Sequence, residues 1–98
     1  MEKIFKALSD MNRRKILTIL KNGGMSVNEI VAKMDIGQAT VSNHLSILKK
    51  AGLVQVKNQT KQRIYSISWD IFSKFIEEIN KFSGMKPIIS DEIIMRRK

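Results

Sequence analysis

Gln38-Ala39-Thr40-Val41-Ser42-Asn43-His44-Leu45-Ser46-Ile47-Leu48-Lys49-Lys50-Ala51-Gly52-Leu53-Val54 is the stretch on which the fold turns. Val41, Leu45 and Leu48 recur at i, i+4 and i+7, which is one face of a helix that Gly52 ends. On a helical wheel of about 100° per residue, Ala39, Asn43, Ser46 and Lys50 fall on the opposite side, flanked by Thr40 and Ser42. This outward face is small, polar and uncharged over its first two turns, and cations come only at its end. A helix face that merely meets solvent is usually richer in Glu and Lys. Gln and Asn can bond adenine through two atoms, Ser and Thr can donate or accept, and Ala can touch a thymine methyl. The face therefore has the chemistry to read base edges.

Upstream, Ser26-Val27-Asn28-Glu29 is a capping box, with Ser at the N-cap and Glu three residues on, and opens a short helix to about Met34. Asp35-Ile36-Gly37 is the tight turn between this helix and the one at 38–51, so the pair forms a helix-turn-helix. Before it, Asp10 caps a helix over 11–21 that buries Ile16, Leu17, Ile19 and Leu20 and stops at Asn22-Gly23-Gly24. Ile4, Phe5 and Leu8 mark a short amphipathic helix over Glu2–Leu8. Downstream the period changes. Leu53, Val54 and Val56, then a polar turn at 58–61, then the run from Arg63 to Ser68 form a β-hairpin. The turn has no glycine, so its type stays open and a connection longer than two residues is as compatible as a short one. Asp70 caps a fifth helix that ends before Gly84, Pro87 prevents simple continuation, and a helical turn is expected at 91–96. The expected architecture is mainly α with a β-hairpin wing: a winged helix-turn-helix in the order α-α-α-α-β-β-α. Residues 1–84 make the DNA-binding domain with dimerisation helices at both ends, and 85–98 make a basic tail.

Composition narrows the function. The 98 residues carry 18 Lys and Arg against 9 Asp and Glu, a net charge of +9, whose default partner is nucleic acid. The charge is concentrated: residues 13–63 hold ten Lys and Arg but only Glu29 and Asp35 as acids, a local net of +8. With no cysteine and one histidine, disulfides, thiolate metal sites and multi-histidine sites are excluded. No apolar run is long enough to span a bilayer and no signal peptide is recognisable, so a cytoplasmic location is expected, without membrane association. No activated nucleophile, paired acids or glycine-rich phosphate loop points to an enzyme; no catalytic residue, cofactor or metal is assigned.

Lys57, Lys61, Gln62 and Arg63 cluster at the hairpin, where cations suit phosphate or minor-groove contact. The plainer reading is a charged turn that keeps an edge strand soluble. His44 sits on the flank of its helix, as a packed or phosphate-bonding residue rather than a metal ligand. Arg13, Arg14 and Lys15 point in three successive helix directions, so at most some of them can face DNA. The fifth helix carries Phe72, Phe75, Ile76, Ile79 and Phe82 in one stripe outside the helix-turn-helix core. Either the stripe closes the domain's own core or it meets a second copy. A chain of this size favours the second copy, with Ile4, Phe5 and Leu8 joining the interface. Trp69 is expected to anchor packing at the start of that helix.

Ile4-Phe5-Lys6-Ala7-Leu8-Ser9-Asp10, Arg13-Arg14-Lys15-Ile16-Leu17, Ser26-Val27-Asn28-Glu29-Ile30, the string from Ala39 to Val54, and Tyr65-Ser66-Ile67 together resemble the ArsR family of small winged-helix repressors. The resemblance covers about two thirds of the chain. It implies a homodimer that represses transcription from an inverted-repeat, palindromic operator on double-stranded DNA, with first and last helices at the dimer interface. The departures are specific. Metal sensors of the family place Cys-Val-Cys where this chain has Ser26-Val27-Asn28, and others use Asp and His on the last helix, which here offers Asp70, Glu77 and Glu78 but no His. The chain is thus similar to the metal-independent autorepressor (SdpR-like) branch. It lacks the proline that often follows the cap of the second helix, and the glycine usual at the wing tip. Two alternatives stand beside this: a metal- or ligand-responsive sensor of the same fold, and a basic module for protein interaction or membrane surfaces.

Overall fold

Asp10 opens the second helix as the sequence predicts. Its backbone is extended, and its side chain accepts the Arg13 N–H at 3.1 Å, so one of the unpaired donors of the first turn is satisfied. In the computed structural model, which describes residues 1–84, the elements are α1 Glu2–Leu8, α2 Met11–Leu20, α3 Val27–Val31, α4 Gln38–Lys50, β1 Val54–Gln59, β2 Gln62–Ile67 and α5 Trp69–Ser83. The chain divides into two compact units, Met1–Ile67 and a second that begins at Ser68 and carries α5.

In the first unit the predicted apolar faces supply the core. Ile16 and Leu20 of α2, Ile30 of α3, and Val41, Leu45 and Leu48 of α4 are buried, as are Leu53 and Val54 at the entry to the wing. The capping box of α3 is complete: Ser26 Oγ accepts the Glu29 N–H at 3.2 Å, and the Ser26 N–H donates to Glu29 Oε1 at 3.0 Å. α3 is shorter than its expected end at Met34, because Lys33 and Met34 turn back on Ile30 and Val31 through i to i−3 bonds that tighten the chain before α4. α4 ends in a Schellman closure. Gly52 N–H donates to Lys49 O at 2.9 Å and Leu53 N–H to Leu48 O at 3.0 Å, with Gly52 at φ 85°. Leu53 is thus committed to that closure, and the strand starts at Val54.

The wing turn, whose length and type the sequence left undetermined, is a short one. β1 and β2 pair antiparallel from Val54↔Ile67 to Gln59↔Gln62, so only Thr60 and Lys61 connect them. Both have positive φ, 49° and 65°, as a two-residue primed hairpin turn requires. The sheet register supplies this conformation against the residues' own preference, Thr being β-branched. Met25, in the loop before α3, pairs with Tyr65 of β2 through two backbone bonds of 2.9 and 2.8 Å. The helix-turn-helix is thereby laced to the wing. Gly24 permits this approach, since a Cβ there would stand 2.7 Å from Ile64 Cγ2 and 3.3 Å from Tyr65 O.

In the second unit, α5 begins two residues earlier than expected. Ser68 is its N-cap, without a side-chain bond, and Asp70 lies within the first turn, where a negative charge suits the helix dipole, rather than capping it. Trp69 and Phe72 rings stand 6.0 Å apart at 48°. Gly84 closes the helix at φ 70°. Pro87 and the helical turn expected at 91–96 lie outside the described residues, as does the whole basic stretch 85–98.

Candidate nucleic-acid interface

α4 presents the expected outward face. Gln38, Ala39, Thr40, Ser42, Asn43 and Ser46 are all exposed, while Val41, Leu45 and Leu48 on the other side are completely buried. Burial of that apolar triad fixes the helix rotation, so the polar residues have no other direction to point. Gly37 caps the helix with no side-chain bond, and the N–H groups of the first turn are left without a side-chain acceptor. Lys57, Lys61, Gln62 and Arg63 are exposed on the hairpin. Arg63 lies over the Tyr65 ring, its guanidinium carbon 5.8 Å from the centroid, a contact that orients the cation on its strand.

A cleft of about 190 Å³ joins the first residue of the α4 set to two residues of the wing set. Ser26, Val27 and Asn28 of the α3 entry, Gln38 of α4, and Gln62 and Arg63 of β2 line it. The N-terminal end of α4 and the returning wing strand thus share one concave surface with the start of α3. Ser26 and Asn28 join this surface although the sequence reading gave them no part in DNA contact, only the capping box and the place where a thiolate pair is missing. The signal that could have found them is the capping box itself, which puts its own residues at the helix entry beside the turn into α4.

Four residues stand away from this surface: His44, Arg13, Arg14 and Lys50. His44, counted among the DNA contacts, is buried, at 8% exposure. Arg13 Nη1 lies 3.2 Å from His44 Nδ1, and His44 Nε2 lies 4.0 Å from Asp10 Oδ1. A guanidinium can only donate, so Nδ1 accepts and the ring proton sits on Nε2, turned toward the carboxylate. Arg13 also donates through Nε to Ala7 O at 2.8 Å and through Nη2 to Lys6 O at 3.2 Å, while Arg14 Nη1 donates to Leu8 O at 2.7 Å. The two arginines therefore close the C-terminus of α1, where carbonyls lack helical partners, instead of reaching outward. The fourth is Lys50. Twelve helical steps place it about 18 Å along the axis from Gln38, far from the base-reading end. It instead lines a second cleft with Lys3, Lys6, Ile47 and Ala51.

The carboxyl groups of this unit are tuned by capping. The N–H of Arg13 lowers the Asp10 carboxyl below its ordinary value; desolvation opposes it, and the N–H of Asn12 adds a weaker lowering. Ser26, through its backbone N–H and then its hydroxyl, likewise lowers the Glu29 carboxyl.

Of the residues expected at a dimer interface, Ile4 and Phe75 are already buried in the single chain, at 7% each, which leaves them little surface for a partner. Leu8, Phe72, Ile76 and Ile79 are half-buried, and Phe5 and Phe82 are exposed, Phe82 at 71%.

Among the described residues no three acidic or histidine side chains gather into a group that could hold a metal ion, and no helix is long and apolar enough to cross a membrane.

The family model described as "Bacterial regulatory protein, arsR family" matches residues 10–56, from the cap of α2 into β1. The transcriptional repressor SdpR of Bacillus subtilis is 34% identical over 82 residues, covering 84% of this chain and 91% of that protein. Among solved structures, an ArsR-like transcriptional regulator from Rhodococcus sp. RHA1 superposes with a TM-score of 0.80 at 23% identity, covering 85% of this chain and 78% of that one. The homodimeric winged helix-turn-helix DNA-binding domain of a possible ArsR-family regulator from Mycobacterium bovis superposes with a TM-score of 0.70 at 24% identity, covering 85% and 77%. These proteins are regulators of transcription rather than enzymes. The chain belongs to the arsR family of bacterial regulatory proteins and is a DNA-binding transcription regulator built on the winged helix-turn-helix.

Proposed function

We propose that this regulator is a cytoplasmic repressor that binds an inverted-repeat operator as a homodimer and needs no metal effector. One observation carries the reading: the exposed, uncharged, hydrogen-bonding end of α4 and the cationic strand of the wing share one cleft. Gln38, Thr40, Ser42, Asn43 and Ser46 serve as base readers, with Ala39 against a thymine methyl. Lys57, Lys61 and Arg63 hold phosphates and fix the register, with Gln62 beside them. The side-chain-free N-terminus of α4 adds N–H donors for a phosphate at its mouth. His44 acts from inside, setting α4 against the α1–α2 corner through Arg13.

Repression is supported by the likeness to SdpR, and dimerisation by the homodimeric neighbour from Mycobacterium bovis. In the dimer, α5 supplies Phe72, Ile76, Ile79 and Phe82, and α1 supplies Phe5 and Leu8. Two-fold symmetry then sets the two α4 helices in major grooves about one helical turn, 34–36 Å, apart or a multiple of it. Metal independence is supported by Ser26 and Asn28, whose hydroxyl and amide are poor ligands for thiophilic metals. Selection of bound duplexes from a random pool, followed by anisotropy titration with and without zinc, cadmium and arsenite, tests the whole reading. A palindromic consensus whose affinity is indifferent to the three salts is expected. A single unrepeated site would overturn the homodimer, metal-weakened binding would return the chain to the sensors, and no consensus at all would favour a non-specific basic module.

A further inference from the structure

Away from the base-reading end, the cleft between α1 and the C-terminal half of α4 has a composition that DNA binding does not use. Its volume is about 220 Å³, and Ile47 and Ala51 form an apolar floor rimmed by Lys3, Lys6 and Lys50. All three lysines are exposed, and no acidic side chain lines the cleft. Among the described residues none of these three ammonium groups stands in an ion pair. An apolar hollow takes an apolar body, and a ring of unpaired cations takes a negative head. A phosphate of the DNA backbone would satisfy the rim but leave the floor uncovered. A neutral hydrocarbon would fill the floor but leave the rim unanswered.

We propose that this cleft is a binding site for a small amphipathic carboxylate, a short alkyl or aryl chain with one anionic head. The chain lies on Ile47 and Ala51, and the carboxylate accepts from Lys3, Lys6 and Lys50. The site does not depend on the operator reading. It does, however, place a ligand on the same helix whose other end carries Gln38 and Asn43.

Octanoate is the probe, followed by amide shifts of the isotope-labelled full chain. Saturable shifts centred on Ile47, Lys50 and Ala51 are expected, with a dissociation constant in the low millimolar range, roughly what a ligand of this size can reach. Lys3→Gln/Lys6→Gln/Lys50→Gln should bind octanoate about tenfold more weakly, with its dispersed spectrum showing an intact fold. Octanol and inorganic phosphate should each bind at least tenfold more weakly than octanoate. Equal binding of octanol would reduce the site to a greasy hollow, equal binding of phosphate would reduce it to an ion patch, and an unaffected triple variant or unsaturable shifts would refute the site outright.

Discussion

Arg13→Ala should destabilise the fold rather than loosen DNA. The guanidinium makes three side-chain bonds, to Ala7 O at 2.8 Å, Lys6 O at 3.2 Å and His44 Nδ1 at 3.2 Å. Lys6 O keeps two other donors, the N–H and hydroxyl of Ser9, so its loss is small. The carbonyl of Ala7, a completely buried residue, and the ring of His44, at 8% exposure, lose a charged donor where water reaches poorly. Leaving a buried acceptor unpaired costs about 1–3 kcal/mol, so two of them at about 1.5 kcal/mol each give about 3 kcal/mol for the variant. That is a large share of the roughly 5–15 kcal/mol that holds a small domain folded. In urea, followed by circular dichroism at one fixed protomer concentration, the midpoint should fall by about 2 M for a slope near 1.5 kcal/mol/M. Lys in place of Arg should restore little, because an ammonium cannot span two carbonyls and a ring nitrogen at once. A variant that unfolds like the parent but loses affinity for every duplex would show that Arg13 reaches DNA, and the internal role drawn for it and for His44 would be wrong.

Other consequences follow from the same geometry. Lys57, Lys61 and Arg63, taken twice in a homodimer, neutralise about six phosphates, which gives log K against log salt a slope near −5; Lys61→Ala should reduce that slope by about 2 and weaken all duplexes alike. Thr60→Asn should raise stability by about 0.5–1 kcal/mol in thermal or urea unfolding, because Asn tolerates the left-handed conformation that Thr60 is forced to adopt. Asp10 and Glu29 have folded-state pKa values below their unfolded ones. The unfolded chain therefore binds more protons in acid, so the caps contribute fully above about pH 5 and their contribution fades as pH falls through and below the ordinary carboxylate range near 4. Asp10→Asn or Glu29→Gln should flatten that part of the stability–pH curve, and an unchanged acid limb would refute the capping assignment.

The parts of the fold that are local in sequence were legible there. The capping box at Ser26, the Asp10 cap, the spacing of Val41, Leu45 and Leu48, and Gly52 after α4 each act within a turn or two of chain, and each sits where the spacing predicts. What escaped depends on distant partners. His44 and Arg13 are 31 residues apart and meet only because α2 and α4 pack together. The Met25–Tyr65 bridge is a single isolated pair, too short to leave a β pattern. The Thr60-Lys61 turn runs against local propensity because the register of two six-residue strands leaves only two residues to connect them. The exposed polar end of α4 was readable from the wheel, whereas the wing's nearness to Gln38, which turns two lists of residues into one surface, came only from the packing.

The central claim is that neutral side chains of α4 read sequence while the wing cations supply affinity. The most direct test is Asn43→Ala, titrated by fluorescence anisotropy against the selected operator and a scrambled duplex of equal length. Asn43 is exposed, so stability should be unchanged, and operator affinity should fall by about 1–3 kcal/mol per half-site while the scrambled duplex binds as before. Equal losses on both duplexes, or none on either, would contradict the account.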